Sequence, residues 1–432
     1  MILIASTQLL AQKFNRQRMD SLFTLIESNE KGMGSISVFD DGNEVYQNTF
    51  GYASTEDSLR ATAATKYRIG SISKIFTAII IMGLVEDNQL HLDTKLATFY
   101  PQIENAPEIT IEDMLRHRSG IYNYTSAQDY RQWMEQPITK EELVKKIAAY
   151  GSSFKPGKKV AYSNANYVLL SLIAEHLKKK EFGELVREII CEPCGLHHTF
   201  YGGAIAVEND EAKSYIKWGR YWQASTETDT SVLLGAGAMT SNPTDLNLFL
   251  NCLFNHTLIS EESLNSMMNI EDNFGIGMLS LPYYDKSGYG HTGGIDGFQS
   301  IAAYYPAERV SVSYTSNGVV TPINDILMGT LNLYFGTDDS LPEFEETLQF
   351  TSEELKQYLG VYSDPDFPLE ITITQERDVL VAQATGQSSF ALEAYEPNIF
   401  NFEPASLELE FIPEDDKMIL RQGGGEHILT RR

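Results

Sequence analysis

Arg68-Ile69-Gly70-Ser71-Ile72-Ser73-Lys74 runs directly into the apolar block Ile75-Phe76-Thr77-Ala78-Ile79-Ile80-Ile81-Met82-Gly83-Leu84-Val85. A serine at the mouth of a helix feels the partial positive charge of that end, and a lysine three residues on shares its face. Inside an apolar wall the ammonium loses solvation, its pKa falls, and the neutral amine can take a proton from the hydroxyl. Ser71 is thereby a candidate nucleophile and Lys74 its partner. Spacing alone does not select this pair, because Ser28 with Lys31, Ser152 with Lys155 and Ser214 with Lys217 repeat it. Only at Ser71 does the pair open a long apolar helix; the others sit beside Gly, Pro or polar residues that read as loops or helix ends. The block is too short to span a membrane and has Lys74 before it and Glu86 after it, so it predicts a helix buried on all sides in a large core.

At 432 residues the chain exceeds what one core usually holds, and two domains are expected. A formal charge of −26 argues against nucleic acid or an anionic membrane as partner. The first residues, Met1 to Gln12, form a short apolar segment ending in small residues, similar to the end of a secretory signal with cleavage after Ala11, although the positively charged leader is missing. Export to the periplasm or medium is the expectation. Cys191 and Cys194 form a C-x-x-C followed by His197 and His198, but Ile189 to Leu196 reads as a helix end entering a Pro-Gly turn. Core packing or a local disulfide is expected there rather than zinc, with Cys252 alone and buried.

Apolar residues Phe14, Leu22, Phe23 and Ile26 predict a helix within 13–31, stopped by Gly32 and Gly34. Ser35–Phe39 and Glu44–Phe50 flank Asp40-Asp41-Gly42-Asn43 as a hairpin. Thr110 caps a short helix that runs into Arg116-His117-Arg118-Ser119-Gly120, and residues 121–157 read as an inserted, mostly helical region. Tyr162-Ser163-Asn164 is a polar loop feeding a second buried helix; Tyr46 and Asn48 repeat its spacing in an expected edge strand. Farther on, Gly290-His291-Thr292-Gly293-Gly294 precedes adjacent antiparallel strands, its glycines allowing close approach of a ligand. Strands at both ends with helices between imply an α+β domain, one antiparallel sheet flanked by helices, over 13–335. An acidic linker at 336–348 then leads to short alternating runs over 349–432, a small all-β domain.

Taken together, Ser71-x-x-Lys74, Tyr162-x-Asn164 and His291-Thr292-Gly293 form a pattern that resembles the serine β-lactamase and penicillin-binding protein superfamily. The similarity is strongest to its class C-like branch, which includes D-alanyl-D-alanine carboxypeptidases, D-aminopeptidases and certain esterases. It spans about residues 14–335, with flanking stretches at Ile109 to Gly120, Pro156 to Leu170 and Gly235 to Asp245; the C-terminal stretch looks like the lipocalin-like domains appended to some members. The resemblance implies a β-lactamase/transpeptidase-like fold in which Ser71 attacks a carbonyl to give an acyl-enzyme and Lys74 and Tyr162 share the proton work. It further implies that Asn164 holds Lys74 or the substrate amide, that the backbone N–H groups of Ser71 and Gly294 form an oxyanion hole, and that His291, Thr292 and Gly293 line the substrate side. As a base, Tyr162 needs nearby positive charge to depress a phenol pKa normally near ~10. Many members have lysine where this chain has His291; a histidine, mostly neutral at pH 7, weakens the expectation of carboxylate recognition and of β-lactamase activity.

No G-x-S-x-G elbow, H-E-x-x-H or P-loop is found. Tyr122, Tyr124, Tyr215 and Tyr221 are candidates either for the cleft wall or for packing. The resulting expectation is an exported serine hydrolase acting on a small-molecule or peptide amide or ester, with no metal or organic cofactor. Within it, a D-amino-acid-specific peptidase or carboxypeptidase leads, followed by a small-ester hydrolase. From another class, the alternative is a penicillin- or peptidoglycan-sensing module that acylates without turnover.

Overall fold

The computed structural model describes residues 15–344, 346–365, 367–387, 389–402 and 405–432, so the expected leader over 1–12 lies outside the described residues. The chain divides into two compact units: one runs to Tyr215 and resumes over Ala224–Leu341, and the other comprises Ile216–Gln223 and Pro342–Arg432.

In the first unit, helix α1 (Arg16–Ser28) is capped by Asn15 and buries Met19, Leu22, Phe23 and Ile26, one helical face. The helix does not stop at the glycines. Glu30 supplies the left-handed residue (φ 55°), and Gly32 and Gly34 lie inside strand β1 (Gly32–Asp40). At Gly34 a Cβ would stand 2.3 Å from the carbonyl oxygen of Thr315, so this glycine serves strand-to-strand approach. Asp41 (φ 50°) and Gly42 (φ 80°) turn the chain into β2 (Asn43–Phe50), which suits a two-residue hairpin.

Two helices follow that matter for the site, α2 (Ser73–Glu86) and α3 (Asn164–Lys178), then α4 (Pro243–Phe254), strands β3 (Leu279–Ser280), β4 (Tyr289–Ile295), β5 (Phe298–Tyr305) and β6 (Val310–Val319), and helix α5 (Ile323–Phe335). The strands form one antiparallel sheet in the order β3-β4-β5-β6-β1-β2, so the two ends of the unit pair at its centre. Helices α1 and α5 pack on one face, where Phe23 meets Phe50. On the other lies α4, whose Asn247 donates to the Ser37 carbonyl and accepts from Ser313. Every α2 residue from Ser73 to Met82 is buried, as its uninterrupted apolar run requires, and Phe76 stacks on Phe249 of α4 at 4.0 Å. A short helix, Ile111–Leu115, opens with a reciprocal cap between Thr110 and Asp113.

Cys191 packs in the core as expected, while Cys194 and Cys252 differ from expectation. Cys194 is bridged to Cys252 with Cα atoms 5.9 Å apart, whereas Cys191 is a buried free thiol whose Sγ points at the Thr199 carbonyl. The turn Glu192–Cys194 directs Cys194 away from Cys191 and toward α4, which no local spacing reveals.

The second unit is a nine-stranded antiparallel sheet built from Gly360–Ser363 to Gly425–Arg431. Its first strand pairs with both Ile371–Glu376 and the last strand, which nearly closes the sheet into a barrel. The alternation Leu407, Leu409, Phe411 points inward to a core with Tyr358, Tyr362 and Phe400. Segment 216–223 contributes Trp218, whose Nε1 donates to Glu376, and Tyr221, which donates to Asp378.

Candidate active site

A tight turn, Gly70–Ile72, carries Ser71 into the N-terminus of α2 and sets Lys74 one turn inside the protein. Lys74 is fully buried. Its Nζ lies 3.0 Å from Ser71 Oγ, 2.7 Å from Asn164 Oδ1 and 2.7 Å from the carbonyl oxygen of Ala236. These three oxygens all belong to uncharged groups. Burial therefore holds its pKa well below the usual lysine value. A neutral amine has two N–H bonds and one lone pair. The two carbonyl oxygens can only accept, so they engage both N–H groups and leave the lone pair facing the Ser71 hydroxyl.

Tyr162 completes the triad from the opposite side, its hydroxyl 2.6 Å from Ser71 Oγ. Burial raises its pKa above that of a free phenol, with the Ser71 hydrogen bond opposing the rise. Depression by nearby positive charge, the condition for Tyr162 to act as base, is absent because Lys74 is itself driven toward neutrality. With Lys74 neutral the protons run in one direction: Tyr162 O–H to Ser71 Oγ, Ser71 O–H to Lys74 Nζ, Lys74 N–H to Asn164 and Ala236.

Asn164 is the first residue of α3, and its amide is fixed from behind: Nδ2 donates to Thr125 Oγ1 at 3.0 Å and its backbone N–H to Asn123 Oδ1 at 3.0 Å. The side-chain oxygen is thus turned to Lys74.

Strand β4 passes beside the Ser71 turn. A Cβ on Gly293 would stand 2.0 Å from the Ile69 carbonyl oxygen, and a Cβ on Gly70 would stand 2.7 Å from the Gly294 nitrogen. Ser300 Oγ donates to the same Ile69 carbonyl at 2.9 Å and ties β5 to the turn. These contacts bring the Gly294 amide beside the Ser71 turn, whereas a Cβ on Gly294 itself would meet open space. His291 is buried with Nδ1 2.5 Å from the Thr292 carbonyl, so that nitrogen carries the proton, and its ring centre is 6.4 Å from that of Tyr162. Burial and Lys74 push its pKa down to about 3, leaving it neutral in the working range. Thr292 is held in register opposite Ile301.

Ser71, Lys74, Tyr162, Asn164 and His291 to Gly294 therefore meet at one place. In the other Ser-x-x-Lys pairs the serines are engaged elsewhere: Ser28 Oγ donates to Leu25 O, Ser152 N to Glu104, and Ser214 Oγ accepts from Gly297. The four tyrosines are packing residues. Tyr124 is fully buried against the Val232 carbonyl, Tyr215 donates to Glu56, Tyr221 to Asp378, and the Tyr122 ring packs tilted against Tyr150. Three contributors escaped the sequence: the carbonyl of Ala236, which leaves no side-chain trace; Gly70 (φ 49°), whose position before Ser71 was the available clue; and His117, whose ring lies 4.5 Å from that of Tyr162.

The family model for beta-lactamase matches residues 20–331. The teichoic acid D-alanine hydrolase of Staphylococcus aureus is 25% identical over 293 residues, covering 65% of this chain and 69% of that protein. The D-amino acid amidase from Ochrobactrum anthropi SV3, complexed with D-phenylalanine, superposes with a TM-score of 0.66 at 23% identity, over 74% of this chain and 100% of that one. The octameric penicillin-binding protein homologue from Pyrococcus abyssi also gives a TM-score of 0.66 at 23% identity, over 96% of this chain and 99% of that one. These two structures show a shared fold.

Proposed function

The chain belongs to the beta-lactamase family, and from that premise we propose that it is a serine hydrolase that cleaves D-aminoacyl esters or amides through an acyl-enzyme on Ser71. The observation that carries this reading is the desolvated Lys74, held by two carbonyl oxygens with its Nζ 3.0 Å from Ser71 Oγ.

On this reading Ser71 Oγ attacks the substrate carbonyl as its proton passes to Lys74. The backbone N–H groups of Ser71 and Gly294 receive the oxyanion, each such donor being worth roughly 2.7–4 kcal/mol of barrier. Tyr162, protonated at rest, gives its proton to the departing alkoxide or amine and regains one from the Lys74 ammonium. Water then enters where the leaving group was, and the same groups act in reverse to release the acid.

Substrate choice is argued from charge. A carboxypeptidase or a penicillin-recognising enzyme must hold a substrate carboxylate, and neutral His291 supplies no cation for it. Nearby Arg68 is occupied by Glu227, the Thr228 carbonyl and the Gly203 carbonyl. The formal charge of −26 favours a substrate with a free ammonium over an anionic one. Two similar proteins bear names of D-aminoacyl chemistry, teichoic acid D-alanine hydrolase and D-amino acid amidase. Export is part of the proposal, supported by the Cys194–Cys252 disulfide, which suits an oxidising compartment. No helix among the described residues is long and apolar enough to cross a membrane.

Steady-state turnover of D-alanyl and L-alanyl p-nitroanilide, a D-alanyl ester, a D-alanyl-D-alanine peptide and nitrocefin tests the reading. Preference for the D-alanyl ester or anilide is expected. Preference for the peptide or nitrocefin would overturn the substrate assignment, and a burst of acylation without turnover would favour a sensor.

A further inference from the structure

Tyr162 is usable only if its ring and hydroxyl are held against Ser71, yet it sits on a loop before α3 and not on a regular element. One residue holds that loop on both sides. The carbonyl of His117 accepts the N–H of Ala161 at 3.0 Å, and its Nδ1 accepts the N–H of Ser163 at 3.2 Å, so both amides flanking Tyr162 end on His117. Its imidazole also packs on the Tyr162 ring at 4.5 Å, backed by Tyr167 at 5.3 Å and by Phe274 edge-on at 5.0 Å.

The acceptor role of Nδ1 is enforced. Ser119 Oγ donates to Asn166 Oδ1 at 2.6 Å, which turns the Asn166 amide N–H group toward Nδ1 at 3.4 Å; two donors converge on one ring nitrogen. Burial and the neighbouring Lys74 and His291 oppose protonation. His117 itself is 2% exposed and takes a left-handed backbone (φ 56°), a conformation that Asn and Gly accept readily and most side chains do not.

From this geometry we infer that His117 is the positioning residue of the proton machinery: through its Nδ1 acceptor and ring it sets the placement of Tyr162 on Ser71. The inference rests on Ser71 being the nucleophile and is independent of which substrate the enzyme takes.

The test is the rate of Ser71 labelling by a fluorophosphonate, resolved into limiting rate and half-saturating concentration, in full-length wild type, His117→Asn and His117→Gly. Both substitutions suit the left-handed backbone, and only Asn keeps a short acceptor. Misplacing a catalytic group by about 1 Å costs roughly 10²-fold, so His117→Gly is expected to lower the limiting rate by roughly that factor, with the half-saturating concentration little changed and much of the rate regained in His117→Asn. A Gly variant that labels at the wild-type rate, an Asn variant as slow as Gly, or a change confined to the half-saturating concentration overturns the inference. Thermal melts verify folding; should His117→Gly not fold, His117→Ala is the acceptor-free member. Ser71→Ala is the blank, and labelling that persists in it would show instead that the nucleophile is misassigned.

Discussion

Lys74 Nζ lies 3.0 Å from Ser71 Oγ, and both of its other polar neighbours, Asn164 Oδ1 and the Ala236 carbonyl, can only accept. The amine is therefore oriented as well as desolvated. Three oxygens around Nζ would satisfy an ammonium as well; burial is what favours the neutral form, which gives one N–H to each carbonyl and turns its lone pair to the hydroxyl.

Charge at position 164 sets the pH profile. Because Lys74 has a lowered pKa, acylation is supported above that value and lost as pH falls through it and the amine protonates. Asn164→Asp places a carboxylate against Nζ, which favours the ammonium and moves the acid limb to higher pH. Fluorophosphonate labelling between pH 5 and 9 checks this, with the expected loss at pH 7 partly recovered at pH 9. His291, neutral above about 3, adds no limb in that window, so His291→Gln should leave the limb where it is.

Two adjacent glycines should respond differently. A Cβ on Gly293 would stand 2.0 Å from the Ile69 carbonyl oxygen and 2.4 Å from Ser300 Oγ, so Gly293→Ala pushes β4 off the Ser71 turn. Loss of one oxyanion donor corresponds to about 10²–10³-fold in rate, and Gly293→Ala is expected in that range. Gly294→Ala keeps its N–H and meets open space, so acylation should change only a few-fold, as stopped-flow acylation would show.

The disulfide is a stability element with no part in the chemistry. It closes a 58-residue separation between Cys194 and Cys252. Replacing both with Ser is expected to cost about 2–4 kcal/mol in urea unfolding while leaving the labelling rate of Ser71 close to wild type.

Much of this site was readable because its side chains announce themselves. An unbroken apolar run after Ser71-x-x-Lys74 fixes a fully buried helix, and the polar Tyr162-Ser163-Asn164 loop before a second such run fixes the facing residues. What stayed hidden depends on backbone or on distant chain. The Ala236 carbonyl has no side-chain signature, the Cys194–Cys252 pairing needs α4 in place, and Gly34 reads as a helix stop until strand β6 is seen against it. The proposed base also needed three dimensions: the sequence allows either Tyr162 or Lys74, and burial of both favours the amine, because desolvation lowers an ammonium pKa and raises a phenol's.

The most direct measurement is intact-protein mass spectrometry of wild type, Ser71→Ala and Lys74→Met, quenched during turnover of a D-alanyl ester. The account predicts a single D-alanyl adduct on wild type, none on Ser71→Ala, and formation slowed by roughly 10²–10⁴-fold in Lys74→Met, the usual contribution of a general base. An adduct that survives Ser71→Ala, or turnover by wild type with Lys74→Met equally fast, would contradict it.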